Sequence, residues 1–248
     1  MKTVLVTGAS GFIGRNLIAR LTQEQDINIL EFTRGNTLEE LSELVQKSDF
    51  IYHLAAVMRP QSESDFDINA TLTEHITTSI KNAGRPIPLL LTSSIQAELD
   101  NAYGKSKIEA EKIANNFNRA THNPTYIYRL TNVFGKWAKP NYSSVVATFC
   151  YNIAHGLDIS IHNPNTTLNL VYIDDVIDEF MKVLQGEPLL EHDGLYYIPR
   201  VFTLTLGELA EKIYEIKKMI DTDTASPAQS DDLFDKFLYT TFMSYATT

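Results

Sequence analysis

Thr3-Val4-Leu5-Val6-Thr7-Gly8-Ala9-Ser10-Gly11-Phe12-Ile13-Gly14 opens the chain with a short apolar run, a glycine-spaced turn and the start of a helix. Apolar residues at 12, 13, 17, 18 and 21 then have the spacing of a buried helix face. A strand that turns through glycines into a helix suits a bound pyrophosphate. Gly8 permits the tight turn, Gly11 a close backbone approach, and Gly14 a close packing of helix on strand. The helix N-terminus adds free N–H groups and a positive dipole end. On this reading Gly8, Ser10, Gly11, Phe12, Ile13, Gly14 and Arg15 border the phosphates of a dinucleotide.

Outward from this stretch, strand and helix signals alternate. Strands are expected at 27–32, 50–56, 87–92 and 125–130, and helices at 38–45, 70–82 and 103–117. Near-continuous apolar strands separated by helices predict a parallel sheet covered on both faces. The fold class is therefore α/β, a Rossmann-like doubly wound parallel sheet with a small C-terminal substrate-binding cap. Residues 1–165 form mainly the dinucleotide-binding domain. Residues 166–220, with part of 133–155, form mainly the cap, and 221–248 a linker and terminal helix. Within these later segments, helices are expected at 145–154, 174–184, 206–220 and 233–245, and a strand at 168–173. The apolar face of the last helix needs burial, against this chain or a partner.

The chain has 248 residues and 44% hydrophobic residues, an ordinary globular composition. Its 21 Lys and Arg against 31 Asp and Glu give a net charge of −10. An acidic chain without a basic stripe excludes nucleic acid and anionic membrane surfaces as expected partners. Apolar runs fall far short of the roughly 20 residues of a membrane span. No signal-peptide pattern follows Met1, and the single cysteine, Cys150, cannot form an intrachain disulfide. A cytoplasmic location is expected. His53, His75, His122, His155, His162 and His192 show no metal-ligand spacing, so no metal is expected.

The second strand bears on cofactor choice. An acid near its end would bind a ribose 2′-hydroxyl, and an arginine there a 2′-phosphate. Here it ends Leu30-Glu31-Phe32-Thr33-Arg34, with Phe32 at the usual acidic place. Glu31 points to the opposite face by strand alternation. Arg34 and Arg15 therefore favour NADP(H) over NAD(H).

Tyr103-Gly104-Lys105-Ser106-Lys107 begins the helix after the 87–92 strand, placing Tyr103 and Lys107 one turn apart on one face. A tyrosine acts as general acid or base near neutral pH only beside a cation that favours phenolate. Lys107 is placed for that, aided by the charge of an oxidised nicotinamide. Ser94 sits past the strand's carboxyl end, where open α/β sheets bind ligands, and its hydroxyl suits a carbonyl oxygen that Tyr103 protonates. Ser94, Tyr103 and Lys107 are the candidate catalytic residues.

With Thr7–Gly14, His53-Leu54-Ala55-Ala56, Ser94 and the Tyr103/Lys107 pair, the sequence resembles the extended short-chain dehydrogenase/reductase family. Tyr128 to Gly135 looks like that family's sugar-nucleotide segment, and Val171 to Val176 like its late strand–helix junction. The resemblance implies Leu54, Ala55 and Ala56 at the cofactor, beside Tyr103 and Lys107. It also implies Ser94, Arg129, Asn132, Asn141 and Tyr142 at the substrate. Trp137 either stacks on the base or packs the cap.

Within the family, Asn132 to Trp137, Lys139 to Tyr151, Arg59-Pro60, Ser93 to Ala97 and the closing Leu238 to Tyr245 resemble the reductase half of bifunctional capsule-precursor enzymes. That resemblance implies NADPH-dependent reduction of the C4 ketone of a UDP-linked 2-acetamido-2,6-dideoxy-hexulose. It implies a UDP-sugar substrate, pairing of copies in a homodimer, and a cupin-type epimerase domain absent from this chain. Ile95-Gln96 stands where sugar-nucleotide dehydratases carry an Asp-Glu pair, which argues against dehydration. An NAD-dependent sugar-nucleotide epimerase and a non-catalytic dinucleotide-binding regulator are the alternatives. Retention of Ser94, Tyr103 and Lys107 favours an enzyme over the regulator.

Overall fold

The structure, a computed structural model, describes residues 1–58, 60, 62–188, 191–222 and 231–246. In chain order its elements begin β1 (Lys2–Thr7), α1 (Phe12–Leu21), β2 (Ile27–Phe32), α2 (Leu38–Lys47), β3 (Phe50–His53), α3 (Asp67–Asn82), β4 (Leu89–Ser94), α4 (Ala102–Thr121) and β5 (Thr125–Leu130). There follow β6 (Asn132–Phe134), α5 (Val145–Ala154), β7 (Thr167–Tyr172), α6 (Ile173–Gln185), β8 (Glu191–His192), β9 (Leu195–Tyr196), β10 (Phe202–Thr205), α7 (Leu206–Asp221) and α8 (Leu233–Ala246). They divide into two compact units, Met1–Leu130 with Ile177–Ile198, and Thr131–Val176 with Pro199–Thr248.

The first unit holds a seven-stranded sheet of order β2-β1-β3-β4-β5-β9-β8, all parallel except for the antiparallel pair β8–β9. Val4, Leu5 and Val6 of β1 are fully buried, as a strand covered on both faces requires. On one face Leu5, Ile51 and Leu89 pack with Leu41 and Val45 of α2, Ile76 and Ile80 of α3 and Phe117 of α4. On the other, Phe180 of α6 lies against Tyr52 and Tyr128, and the Tyr52 hydroxyl donates to the Phe180 carbonyl at 2.7 Å. The strand order reverses between β1 and β3, whose ends Thr7 and His53 lie in register. Such a switch point opens a ligand crevice at the strands' carboxyl ends.

The second unit has a three-stranded sheet, β10-β7-β6. Its core is aromatic: Phe237 of α8 stacks on Tyr172 at 4.0 Å, and Phe234 packs against Phe134 and Phe202. Phe234, Leu238, Phe242 and Tyr245 are buried, so the apolar face of α8 is covered inside its own unit. A capping box between Thr205 and Glu208 starts α7.

Two expectations are corrected. The division falls after Leu130 and not at 165, and Ile177–Ile198 returns to the first unit. The physical reason is that Tyr196 of β9 pairs beside Tyr128 of β5, and α6 packs its Phe180 on that sheet. The third strand stops at His53 and not at Ala56, because the Leu54 and Ala55 N–H groups donate to the Thr7 hydroxyl, each at 3.2 Å, in place of a strand ladder. Strands β6, β8, β9 and β10, of two to four residues, were not expected; so short a run carries no readable period. Arg59 and most of the expected 221–232 loop lie outside the described residues.

Candidate active site

Gly8 has φ of +69°, and a Cβ there would stand 2.8 Å from the Ala55 nitrogen. The turn after β1 therefore rests directly on the chain leaving β3, bringing Gly8 together with Leu54 and Ala55. At Gly14 a Cβ would meet the Gly8 carbonyl oxygen at 2.3 Å, so that glycine lets α1 close onto the turn. Gly11 is the N-cap of α1 with no capping side chain, and the first turn carries no acid. An N-terminus left without a capping side chain, on a turn that admits no Cβ at Gly8 or Gly14, fits a diphosphate. Ser10 and Arg15 are exposed here, with Phe12 and Ile13 half-buried. Arg34 is exposed in the turn after β2, which Asn36 closes by accepting from the Thr33 N–H at 2.8 Å.

Beneath this turn runs a buried chain of hydrogen bonds. The Thr7 hydroxyl, holding Leu54 and Ala55, donates to His53 Nδ1 at 2.9 Å; His53 Nε2 donates to Thr73 Oγ1 at 3.0 Å; Thr73 donates to the Asn69 carbonyl at 2.8 Å. The network assigns the His53 tautomer. Burial, followed by the Lys107 charge, pushes the His53 pKa down to about 3, so the ring is neutral and fixes the loop after β3. Asn69 clamps the same loop through both the N–H and the carbonyl of Val57, and donates to Ser106 Oγ at 3.0 Å.

Ser94, at the end of β4, accepts from the Gln96 N–H at 3.1 Å and is hydrogen-bonded to the Tyr103 hydroxyl. Only eight residues separate the two. A single 3-10 turn, Ile95–Glu98, folds back so closely that a Cβ on Gly104 would lie 2.2 Å from the Gln96 carbonyl oxygen. Asn101 then caps α4 by accepting from the Gly104 N–H at 2.7 Å. Lys107, one turn on and 4% exposed, donates from Nζ to the Thr92 carbonyl at 2.8 Å, with Nζ 6.0 Å from the Tyr103 ring centre.

The electrostatics differ from the expectation that Lys107 lowers the Tyr103 pKa. Burial raises Tyr103 to about 12, and the Ser94 hydrogen bond opposes part of that rise. Burial lowers Lys107 to about 8, opposed by Glu111. Among the protein's own groups the ammonium is committed to the Thr92 carbonyl, so the tyrosine keeps its proton across the neutral range. That state suits a general acid.

Arg129, expected at the substrate, is held by carboxylates. Nε and one terminal nitrogen fork onto buried Glu111 at 2.9 and 2.8 Å, and the other nitrogen reaches Glu98 at 2.8 Å. Ser93 also donates to Glu111. The arrangement ties α4 to β5, which is a structural use of the guanidinium. Asn132, Asn141 and Tyr142 belong to the second unit, and Ser94, Tyr103 and Lys107 to the first. Asn132 and Asn141 are exposed, and Asn141 has φ of +54°.

Sequence reasoning gave no role to Thr7, Asn69 or Glu111. Glu111 had a readable signal, since a carboxylate four residues after Lys107 shares its helix face. Asn69 had none, because its partners are backbone groups distant in sequence. Among the described residues no cluster of His, Cys, Asp or Glu is arranged to hold a metal, and no helix is long and apolar enough to cross a membrane.

A model of the NAD dependent epimerase/dehydratase family matches residues 4–196. The chain is 44% identical to a UDP-2-acetamido-2,6-beta-L-arabino-hexul-4-ose reductase from Pseudomonas aeruginosa, over 98% of this chain and 64% of that protein. It superposes on the capsular polysaccharide assembling protein CapF of Staphylococcus aureus with a TM-score of 0.88 and 41% identity, covering 98% of this chain and 65% of that one. The chain thus spans just under two thirds of the length of these relatives. A dTDP-glucose 4,6-dehydratase from Bacillus anthracis, solved in complex with NAD, shares the fold at 17% identity and a TM-score of 0.82, covering 100% of this chain and 97% of that one. By its matching domain, its glycine turn at the sheet's switch point and its Ser94–Tyr103–Lys107 set, the chain belongs to the NAD-dependent epimerase/dehydratase family, whose members bind a nicotinamide dinucleotide.

Proposed function

We propose that the chain uses NADPH to reduce the C4 ketone of a UDP-linked 2-acetamido-2,6-dideoxy-hexulose, in the cytoplasm, as a step toward a capsule or surface polysaccharide precursor. The observation that carries this reading is the Ser94–Tyr103 hydrogen bond beside buried Lys107, in a chain 44% identical to a protein named as such a reductase. A homodimer and a cupin-type epimerase partner, outside the part that this chain spans, complete the proposal.

Gly8, Gly11, Gly14 and the first turn of α1 would hold the dinucleotide's diphosphate, with Leu54, Ala55 and Ala56 beside it. Lys107 would bind the nicotinamide ribose, and Arg34 with Arg15 a 2′-phosphate. When bound, the nicotinamide supplies the hydride. Ser94 holds the ketone oxygen by its hydroxyl, while its own oxygen stays fixed by the Gln96 N–H. Tyr103 transfers its phenolic proton to that oxygen, so ketone, hydride and proton together give the secondary alcohol. Lys107 holds its charge beside the phenolate that remains. Ile95 and Gln96 offer no second acid or base, in keeping with plain reduction.

Purified chain should consume NADPH, read at 340 nm, only when a UDP-linked 4-keto-hexosamine is added, and calorimetry should show NADPH bound in preference to NADH. Equal NADH binding would move the reading to an NAD-retaining epimerase; binding of neither would remove it. Ser94→Ala is expected to lower kcat about 100-fold or more, as loss of one oxyanion donor does, with NADPH affinity within about twofold. Arg34→Ala should weaken NADPH about tenfold and leave NADH unchanged, the scale of one charge-assisted contact.

A further inference from the structure

The loop between β6 and α5 is held in an unusual backbone conformation by the other end of the chain. Gly135 has φ of 144°, Trp137 of 71° and Asn141 of 54°. A left-handed conformation is disfavoured for a residue as bulky as tryptophan and persists where its surroundings impose it. Two contacts bracket Trp137. A Cβ on Gly135 would lie 2.2 Å from Ile173 Cγ2, so the loop starts tight against α6. From the last turn of α8, the Tyr245 hydroxyl donates to the Ala138 carbonyl at 2.6 Å, with the Gly135 carbonyl 3.3 Å away. Tyr245 is 5% exposed. Further along, the Asn141 N–H donates to Thr148 Oγ1 at 3.0 Å.

The loop's chemistry is distinct from that of the rest of the chain. Residues 112–157 contain no Asp or Glu, although the whole chain has 31. Lys136 lies over the Trp137 ring at 4.8 Å and Lys139 over the Tyr142 ring at 5.5 Å. Trp137 is nevertheless 39% exposed, whereas Phe134, Tyr172, Phe234 and Phe242 of the same unit are buried. An exposed ring and two ammonium groups on a loop free of acids are what a nucleoside diphosphate requires: a face for the base and cations for the phosphates.

We propose that Tyr245 is a positioning residue: through the Ala138 and Gly135 carbonyls it fixes loop 135–142 in the conformation in which Trp137, Lys139, Asn141 and Tyr142 bind the nucleoside diphosphate part of the substrate. The inference rests on the sugar-nucleotide reading above and adds a contribution from α8, which lies beyond the residues that the family model matches. Without the hydroxyl the Ala138 carbonyl loses this donor, and the constraint that holds Trp137 in its left-handed conformation is relaxed.

Trp137 is the chain's one tryptophan, so its fluorescence reports this loop directly. Titration with UDP should change that emission in the wild type. In Tyr245→Phe the UDP Kd should rise about tenfold, the worth of one buried hydrogen bond whose acceptor is left unpaired. The NADPH Kd should stay within twofold, and the KM for the keto-sugar should rise with little change in kcat. Phe242→Leu, which loosens α8 but keeps the hydroxyl, should lower Tm and leave the UDP Kd unchanged. Trypsin supplies a second measurement: UDP should protect the Lys136–Trp137 bond of the wild type. Equal UDP affinity in wild type and Tyr245→Phe, an equal loss in Phe242→Leu, or UDP binding without protection at Lys136 overturns the proposal. Failure of the wild type to bind UDP at all removes the sugar-nucleotide reading, and this inference with it.

Discussion

Replacing Lys107 with methionine is expected to abolish reduction and, at neutral pH, to make the folded chain more stable. Lys107 is buried with its ammonium on a single backbone carbonyl, and burial lowers its pKa from 10.5 to about 8. That shift corresponds to a destabilisation of about 3 kcal/mol. The sign follows from proton counting. Below about pH 8 both folded and unfolded chains are protonated and the full cost is present. Between about 8 and 10.5 the unfolded chain binds more protons, so stability rises with pH; above 10.5 the cost is gone.

Methionine removes the charge and keeps most of the volume, and it forfeits about 1 kcal/mol for the hydrogen bond to the Thr92 carbonyl. A net gain of about 1–2 kcal/mol at pH 7, shrinking toward pH 10, is the expected result of urea unfolding at both values. Glu111 does not lose its partner in this variant, because Arg129 still forks onto it. Turnover should fall about 1000-fold or more, since both ribose binding and support of the Tyr103 phenolate are lost. In the wild type the same titration should lower kcat as pH rises through about 8. Destabilisation of Lys107→Met at pH 7 would falsify the claim that this lysine is held at a cost.

The contrast between what was legible and what was not follows from the range of the interactions. The helices over 12–21 and 145–154 and the strands over 27–32 and 125–130 occupy the residues that apolar periodicity marks. Those patterns are local, and the parallel sheet follows from their alternation. The division into units was misplaced because it depends on β9 returning to β5, a pairing of Tyr196 beside Tyr128 that no local pattern carries. Similarly, the apolar face of 233–245 was plain, but its destination against Tyr172, Phe134 and Phe202 was not.

At the site, spacing alone placed Tyr103 and Lys107 on one face, and the Ser94–Tyr103 bond required the 3-10 turn that Gly104 admits. What spacing could not supply was the balance of forces on those groups. Proximity of a cation suggested a lowered tyrosine pKa; the buried geometry gives desolvation the larger share, and Tyr103 rises to about 12. Arg129 shows the same limit. A strand-end arginine reads as a substrate ligand until its partners, 18 and 31 residues away in sequence, are seen to be Glu111 and Glu98.

The glycines of the first turn should separate folding from cofactor binding. Gly14→Ala would drive a Cβ to 2.3 Å from the Gly8 carbonyl oxygen and 2.9 Å from that of Ala9, both backbone atoms of a tight turn. No side-chain rotation relieves such a contact, so α1 must back away from β1, where Leu17 and Leu21 are fully buried. Overpacking of this kind costs about 3 kcal/mol, enough to lower the urea midpoint clearly and to disperse the N–H groups that face the phosphates. Gly11→Ala is different. Its φ of −77° is open to any residue, its position is exposed, and the nearest atom to a new Cβ is the Gly8 oxygen at 3.1 Å. Stability should change by less than about 0.5 kcal/mol, as for other exposed sites. Yet the added methyl stands where a pyrophosphate would approach the backbone, and dinucleotide affinity should fall about 100-fold. A Gly11→Ala chain that binds NADPH as tightly as the wild type would place the diphosphate elsewhere. If Gly14→Ala proved as stable as the wild type, the close packing of α1 on the turn would not be what that glycine is for.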